Sequence, residues 1–148
     1  MKPTFSFVIP VYNRPDEVDE LLASLARQAP CPAMETIIVE DGSAIPCETV
    51  VQKHAGELTI RYFAKPNSGP GDSRNYGVAR AEGEYVIILD SDVVLPDGYL
   101  RHVSEALFPN GPGTEASCEA FGGPDRAHES FTPVQKAINY GMTSFFTT

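Results

Sequence analysis

Apolar residues along the chain fall in short, nearly continuous runs rather than strict alternation. Residues 5–10 form the first such run, closed by Pro10, the pattern of a strand buried on both faces of a parallel sheet. Pro15 then suits a first helical position, and Val18, Leu21, Leu22 and Leu25 recur at the spacing of one helical face, predicting a helix that ends before Pro30 and Pro32. A second buried strand is expected over residues 35–40, carried by Ile37, Ile38 and Val39 and stopped by Asp41, Gly42 and Ser43.

Residues 48–55 predict a helix ended by Gly56, and 58–64 alternate as a less buried strand nearer a sheet edge does. A turn rich in glycine (Asn67, Ser68, Gly69, Pro70, Gly71) leads into a helix expected over 72–81 and ended by Gly83. Residues 85–89 make the most apolar strand, which runs directly into Asp90, Ser91 and Asp92. Leu100, Val103 and Leu107 mark another helix; after a break at Gly111, Pro112 and Gly113, a weak strand is expected over 117–121 and a last helix over 132–143. Strands alternating with helices imply a three-layer α/β/α domain around a mostly parallel sheet. One domain spans 1–148, with a core over about 1–108 and the start of a second functional half over about 109–148.

Composition narrows the function classes. Hydrophobic residues at 42% and charged residues at 21% exclude a disordered chain. The formal net charge of -9 argues against nucleic-acid binding, which relies on Lys and Arg. If the ligand carries phosphates, an acidic chain makes a divalent cation the natural mediator. Cys31, Cys47 and Cys118 are odd in number and unpaired in spacing, which suggests neither a disulfide framework nor a zinc site and fits a reducing cytoplasm. No apolar stretch approaches a membrane span.

In open parallel sheets, ligands bind beyond the carboxyl ends of the strands. Three polar clusters stand there: Pro10, Val11, Tyr12, Asn13 and Arg14; Glu40 and Asp41 with Gly42 and Ser43; and Asp90, Ser91 and Asp92. If strand geometry continues, Asp90 and Asp92 share a face and can hold Mg²⁺ or Mn²⁺ against a diphosphate; the alternative is a turn cap beside a solvated carboxylate. Tyr12 is equally suited to stacking on a base and to packing, and Asp41 to accepting a base N–H and to an ordinary turn. Arg74 has the planar donors to reach a base carbonyl or a phosphate, or to pair with Asp72 or Glu82. The amides at Gly69 and Gly71 could meet an anion, while the absence of a P-loop or GxGxxG pattern argues against ATPase and dehydrogenase readings. His54, His102 and His128 are too far apart in sequence to suggest a metal site and are expected at the surface or as caps. Gly122, Gly123, Pro124 and Asp125, followed by His128, Glu129 and Ser130, read equally as a binding loop and as a connector.

Taken together, Val8-Ile9-Pro10-Val11-Tyr12-Asn13, Ile38-Val39-Glu40-Asp41-Gly42-Ser43, Ser73-Arg74-Asn75 and Leu89-Asp90-Ser91-Asp92 closely resemble family 2 glycosyltransferases of the Rossmann-like GT-A fold, over residues 4 to about 123. The resemblance implies inverting transfer of a sugar from a nucleoside-diphosphate donor, with a UDP-sugar favoured, to a glycan, lipid or polysaccharide acceptor. It implies base contacts from Tyr12 and Asp41, a base or diphosphate contact from Arg74, a ribose or metal-shell contact from Asp90, and Asp92 on Mg²⁺ or Mn²⁺. Pro10, Val11, Asn13, Arg14, Glu40 and Ser91 complete the implied donor site, and Gly122, Gly123, Pro124 and Asp125 the implied sugar or acceptor loop. The chain departs at Glu40, where many relatives have Asp, and at Val93 and Val94, which replace a frequent further acid. Complete members resembling this chain add an acceptor half bearing the general base, so that base is expected beyond Thr148, the fragment is expected to be inactive alone, and Asp125 and Glu129 are not expected to substitute. Any membrane association would come through that later part, giving a cytoplasmic setting or a peripheral one at the inner face of a membrane. Two alternatives remain: a non-catalytic nucleotide-sugar-binding or interaction module, and a nucleotidyltransferase-like enzyme, which would normally carry a basic phosphate loop where this chain offers only Arg14.

Overall fold

Four parallel strands, β1 (Phe5–Val11), β2 (Met34–Asp41), β3 (Ile60–Lys65) and β4 (Tyr85–Ile88), form one sheet in the order β3-β2-β1-β4. The structure, a computed structural model, describes residues 2–28, 33–111, 114–120, 122, 132–134 and 136. Helices α1 (Pro15–Ala26), α2 (Glu48–His54), α3 (Pro70–Val78) and α4 (Tyr99–Leu107) alternate with the strands. β1 is buried along its whole length, as its unbroken apolar run requires of a strand flanked on both sides. β3 is an edge strand and only partly buried, which accounts for its mixed pattern.

Register decides what faces what. Val8 pairs with Ile37 and Ile88, Val39 with Phe63, and Asp41 with Lys65. Because successive side chains alternate, Ser6, Val8, Glu35, Ile37, Val39, Asp41, Arg61, Phe63 and Lys65 share one face, while Ile38, Glu40 and Tyr62 lie on the other. α3 covers the first face, where Val8, Ile37 and Val39 form a buried cluster packed by Phe63, Tyr76 and Ala81. Gly77 makes this approach possible, since a Cβ there would stand 2.4 Å from Val8 Cγ1. The other face carries α2, whose start is bonded by Glu40, and α2 packs on α1.

Several boundaries differ from the sequence expectation. α3 begins at Pro70 and ends at Val78 rather than spanning 72–81, because Gly69 at φ 95° starts the helix with Pro70 in its first turn. β4 stops at Ile88, and as the other edge among the described strands it leaves Val86 and Ile88 38% and 48% exposed despite its apolar sequence. Residues 117–120 form no strand; nearly all of 114–120 is exposed, so no apolar face fixes that segment to a sheet. His54 is buried rather than superficial, its Nε2 2.6 Å from Asp19 Oδ1. Of the helix expected over 132–143, residues 133, 134 and 136 are helical, and 135 and 137–143 lie outside the described residues.

The chain divides into two compact units, Met1–Ala106 and Leu107–Thr148. In the second, Gly111 N donates to Phe108 O and Ser117 N to Leu107 O, closing a turn.

Candidate functional site at the carboxyl rim of the sheet

All three predicted clusters lie at the same end of the sheet, because the strands that precede them are parallel and in register: Val11 is level with Glu40, Asp41 with Lys65, and Leu89 N donates to Val8 O. Pro10 and Val11 complete β1 and are buried. Tyr12, one residue beyond, is 54% exposed. Asn13 takes a positive φ of 55° and ties the first two clusters together: its Oδ1 accepts from Ala44 N and Ile45 N, and its own N donates to Ser43 Oγ. Arg14 turns away to pair with Glu17.

Neighbours in sequence, Glu40 and Asp41 serve opposite faces. Glu40 is buried, accepting from Ser43 Oγ, from Cys47 N at 2.8 Å and from Tyr62 OH at 3.2 Å. Its carboxylate thus holds the loop that starts α2. Burial, then the Glu40 carboxylate, pushes both the Cys47 thiol and the Tyr62 phenol up.

Asp41, 3% exposed, faces α3. Its Oδ1 accepts from Lys65 Nζ at 2.5 Å and Ser68 N at 2.9 Å, its Oδ2 from Gly69 N at 2.9 Å, and its main-chain oxygen from Asn67 Nδ2 at 2.9 Å. Burial alone would raise this carboxyl, but the Lys65 and amide hydrogen bonds outweigh it and hold it below its ordinary value. The amide of Gly69, read from sequence as a candidate for a ligand anion, is therefore taken by the protein's own carboxylate. Lys65 also reaches Ser68 Oγ and stands 3.3 Å from Asp72. None of Lys65, Asn67 or Ser68 was singled out for this site from sequence; the signal was the polar end of an edge strand level with Asp41, legible only once register is known.

Arg74, on α3, bridges to the segment that follows β4: its Nη2 lies 2.6 Å from Asp90 Oδ1. The expected alternatives are taken elsewhere, Asp72 by Lys65 and Glu82 by Arg61. β4 does not continue through Asp92; residues 91 and 92 form a turn, with Val93 N donating to Asp90 O. Asp90 and Asp92 therefore do not share a strand face, and a turn sets their placement. Asp92 is exposed and has no polar partner among the described residues. Among the described residues no group of three or more His, Cys, Asp or Glu could hold a metal alone. Gly122 is exposed, in the second unit; Gly123, Pro124 and Asp125 lie outside the described residues.

A parallel α/β sheet with Tyr12, Asp41, Arg74 and Asp90 at its carboxyl rim has the layout in which open α/β domains bind their ligands. The chain belongs to Glycosyl transferase family 2, whose description matches residues 6–118. Over 91 residues it is 36% identical to the poly(ribitol-phosphate) beta-N-acetylglucosaminyltransferase TarS of Staphylococcus aureus, covering 60% of this chain and 16% of that protein. It is 33% identical to the validoxylamine A glucosyltransferase of Streptomyces hygroscopicus subsp. limoneus over 107 residues, 70% of this chain and 24% of that one. The solved structure of TarS 1-349 in complex with UDP-GlcNAc superimposes with a TM-score of 0.67 at 33% identity, covering 72% of this chain and 31% of that one. The chain thus spans less than a third of these relatives, and its fold is the GT-A fold expected from the sequence.

Proposed function

We propose that this chain supplies the donor site of an inverting glycosyltransferase, binding a nucleoside-diphosphate sugar together with Mg²⁺ or Mn²⁺. The observation that carries the reading is the meeting of Tyr12, Asp41 and the Arg74–Asp90 pair at the carboxyl ends of adjacent parallel strands. Exposed Tyr12 offers an aromatic face to the base. Three of the roughly four acceptor directions of Asp41 are filled, leaving one for a base N–H, which suits uracil. TarS, solved with UDP and with UDP-GlcNAc, supports a UDP-sugar here. Arg74 carries a planar guanidinium from α3 to the rim, where a diphosphate would exchange with Asp90 as its partner.

The residues present fit a divalent cation. Asp90, and Asp92, which has no polar partner among the described residues, would provide hard oxygen ligands, and Mg²⁺ sites of this kind use one or two carboxylates completed by phosphate oxygens and water. The bound ion would offset charge on the departing diphosphate. Asp92 would hold it, and Arg74 would orient the phosphates. The acceptor-side base is assigned to no residue of this chain, and the setting we propose is cytoplasmic or peripheral to the inner face of a membrane. Family membership favours sugar transfer over nucleotidyl transfer.

Thermal-shift titration tests the reading. UDP with Mn²⁺ at 100 times its dissociation constant should stabilise the chain by about 2.7 kcal/mol. Asp92→Ala should abolish the Mn²⁺-dependent part of that shift; a wild-type shift equal with and without Mn²⁺ would remove the metal from the proposal.

A further inference from the structure

Lys65 stands in no motif of the family resemblance, yet it is the most heavily used cation at the rim. Its side chain is 9% exposed and that of Asp41 is 5% exposed. From the end of β3 its ammonium reaches Asp41 Oδ1, Ser68 Oγ and the Asp72 carboxylate, with Pro66 O at 3.4 Å. An ammonium has three protons, so these acceptors leave none for a phosphate. The loop it closes is tight: Gly42 takes φ +71°, a Cβ there would stand 2.6 Å from Asn67 N, and Ser68 N and Gly69 N both donate to Asp41. Gly69 O in turn accepts from Ser73 N and Ser73 Oγ, the residue preceding Arg74. A continuous chain of contacts thus runs from Lys65 through Asp41 to the first turn of α3 and its arginine.

Resting on the donor-site reading above, we propose that Lys65 is a positioning residue: it locks the base-reading carboxylate of Asp41 and the start of α3 into one unit, so that base recognition and Arg74 placement are set together. An ammonium 2.5 Å from its Oδ1 keeps Asp41 ionised and its one free acceptor direction fixed. Around that carboxylate stand Lys65 from β3 and Asp72 from α3, with Arg74 engaged by Asp90. Lys65 acts on the nucleotide through Asp41 without touching it.

The test is UDP binding by calorimetry with Mn²⁺, from pH 5 to pH 8, for the full chain and for Lys65→Met. The ratio of the two dissociation constants cancels the titration of UDP itself. Lys65→Met should bind about tenfold more weakly at pH 8, the scale of one charge-assisted hydrogen bond, and the ratio should widen toward pH 5 as the unpaired Asp41 takes up a proton. Lys65→Gln, which keeps a donor but no charge, should show the same widening if Lys65→Met does not fold, and Lys65→Arg should restore a constant ratio. A folded Lys65→Met or Lys65→Gln whose ratio stays at one across the range would overturn the inference. Failure of the wild-type chain to bind UDP would instead overturn the donor-site reading on which it rests.

Discussion

Two polar networks bracket the same apolar cluster on the α3 face of the sheet, and they differ in completeness. At the amino end, Glu35 accepts from Ser6 Oγ at 2.6 Å, Glu82 N at 2.7 Å and Arg61 Nη1 at 3.1 Å, while Ser6 Oγ accepts from Gly83 N and Arg61 also reaches Glu82 and Arg80 O. At the carboxyl end, Asp41 and Lys65 are similarly buried, but Tyr12, Asp90 and Asp92 beside them are exposed. Each polar side chain of the first network is hydrogen-bonded within it, even Glu82 at its 65% exposed end, whereas Tyr12 and Asp92 at the carboxyl rim face outward with no polar partner among the described residues. The difference separates a polar cluster that fastens α3 and β4 to the sheet from one that fastens α3 beside exposed polar and aromatic groups.

Breaking the closed network should cost stability alone. Glu35→Ala leaves Arg61 and the Glu82 amide without their buried acceptor and should destabilise by about 3 kcal/mol, read from urea denaturation, with UDP affinity unchanged within about twofold. Gly77→Ala, midway between the networks, presses a methyl on Val8 and should cost about 2 kcal/mol while displacing α3 enough to weaken UDP as well.

Acid sharpens the comparison. Burial would raise Glu35, but hydrogen bonds from Ser6, Glu82 and Arg61 hold it below its ordinary value, as Lys65 and two amides hold Asp41. Both folded values are depressed, so both groups contribute stability that is full above the unfolded carboxylate pKa, near 4, and lost as pH falls through the folded values. Stability should therefore be level from about pH 5 to 7 and decline below about pH 4; Glu35→Gln should flatten that decline, and an undiminished acid slope would remove Glu35 as its source. The smallest stability effect is expected at the open end. Arg74→Ala breaks an exposed ion pair and should change stability by less than about 1 kcal/mol while weakening UDP about tenfold.

The strands and the gathering of the three polar clusters at one rim were legible because buried parallel strands are written as apolar runs and their ends as clusters of Asp, Asn, Ser and Gly. Tyr12, Asp41, Arg74 and Asp90 were all named from such punctuation. What sequence did not disclose depends on register and turns. Lys65 meets Asp41 only because β3 pairs with β2 in one particular register, and Asp92 sits where it does because β4 stops at Ile88. Glu40 was named with the donor residues, and the alternation that sends Asp41 toward α3 sends Glu40 to the other face, to Cys47 and Tyr62. The expected strand is not formed over the described residues 117–120 for a related reason: that exposed stretch has no apolar face to bury against a sheet.

The most direct test of the central claim, that the open network is a donor site, is calorimetric titration of the folded wild-type chain with UDP in the presence and absence of Mn²⁺. The account predicts saturable binding near one site per chain, tighter with Mn²⁺ and weakened at least tenfold by Asp41→Ala, on the scale of a lost charged hydrogen bond. A folded chain that takes up no UDP, or one that binds it equally well with Asp41 replaced and Mn²⁺ withheld, would contradict it.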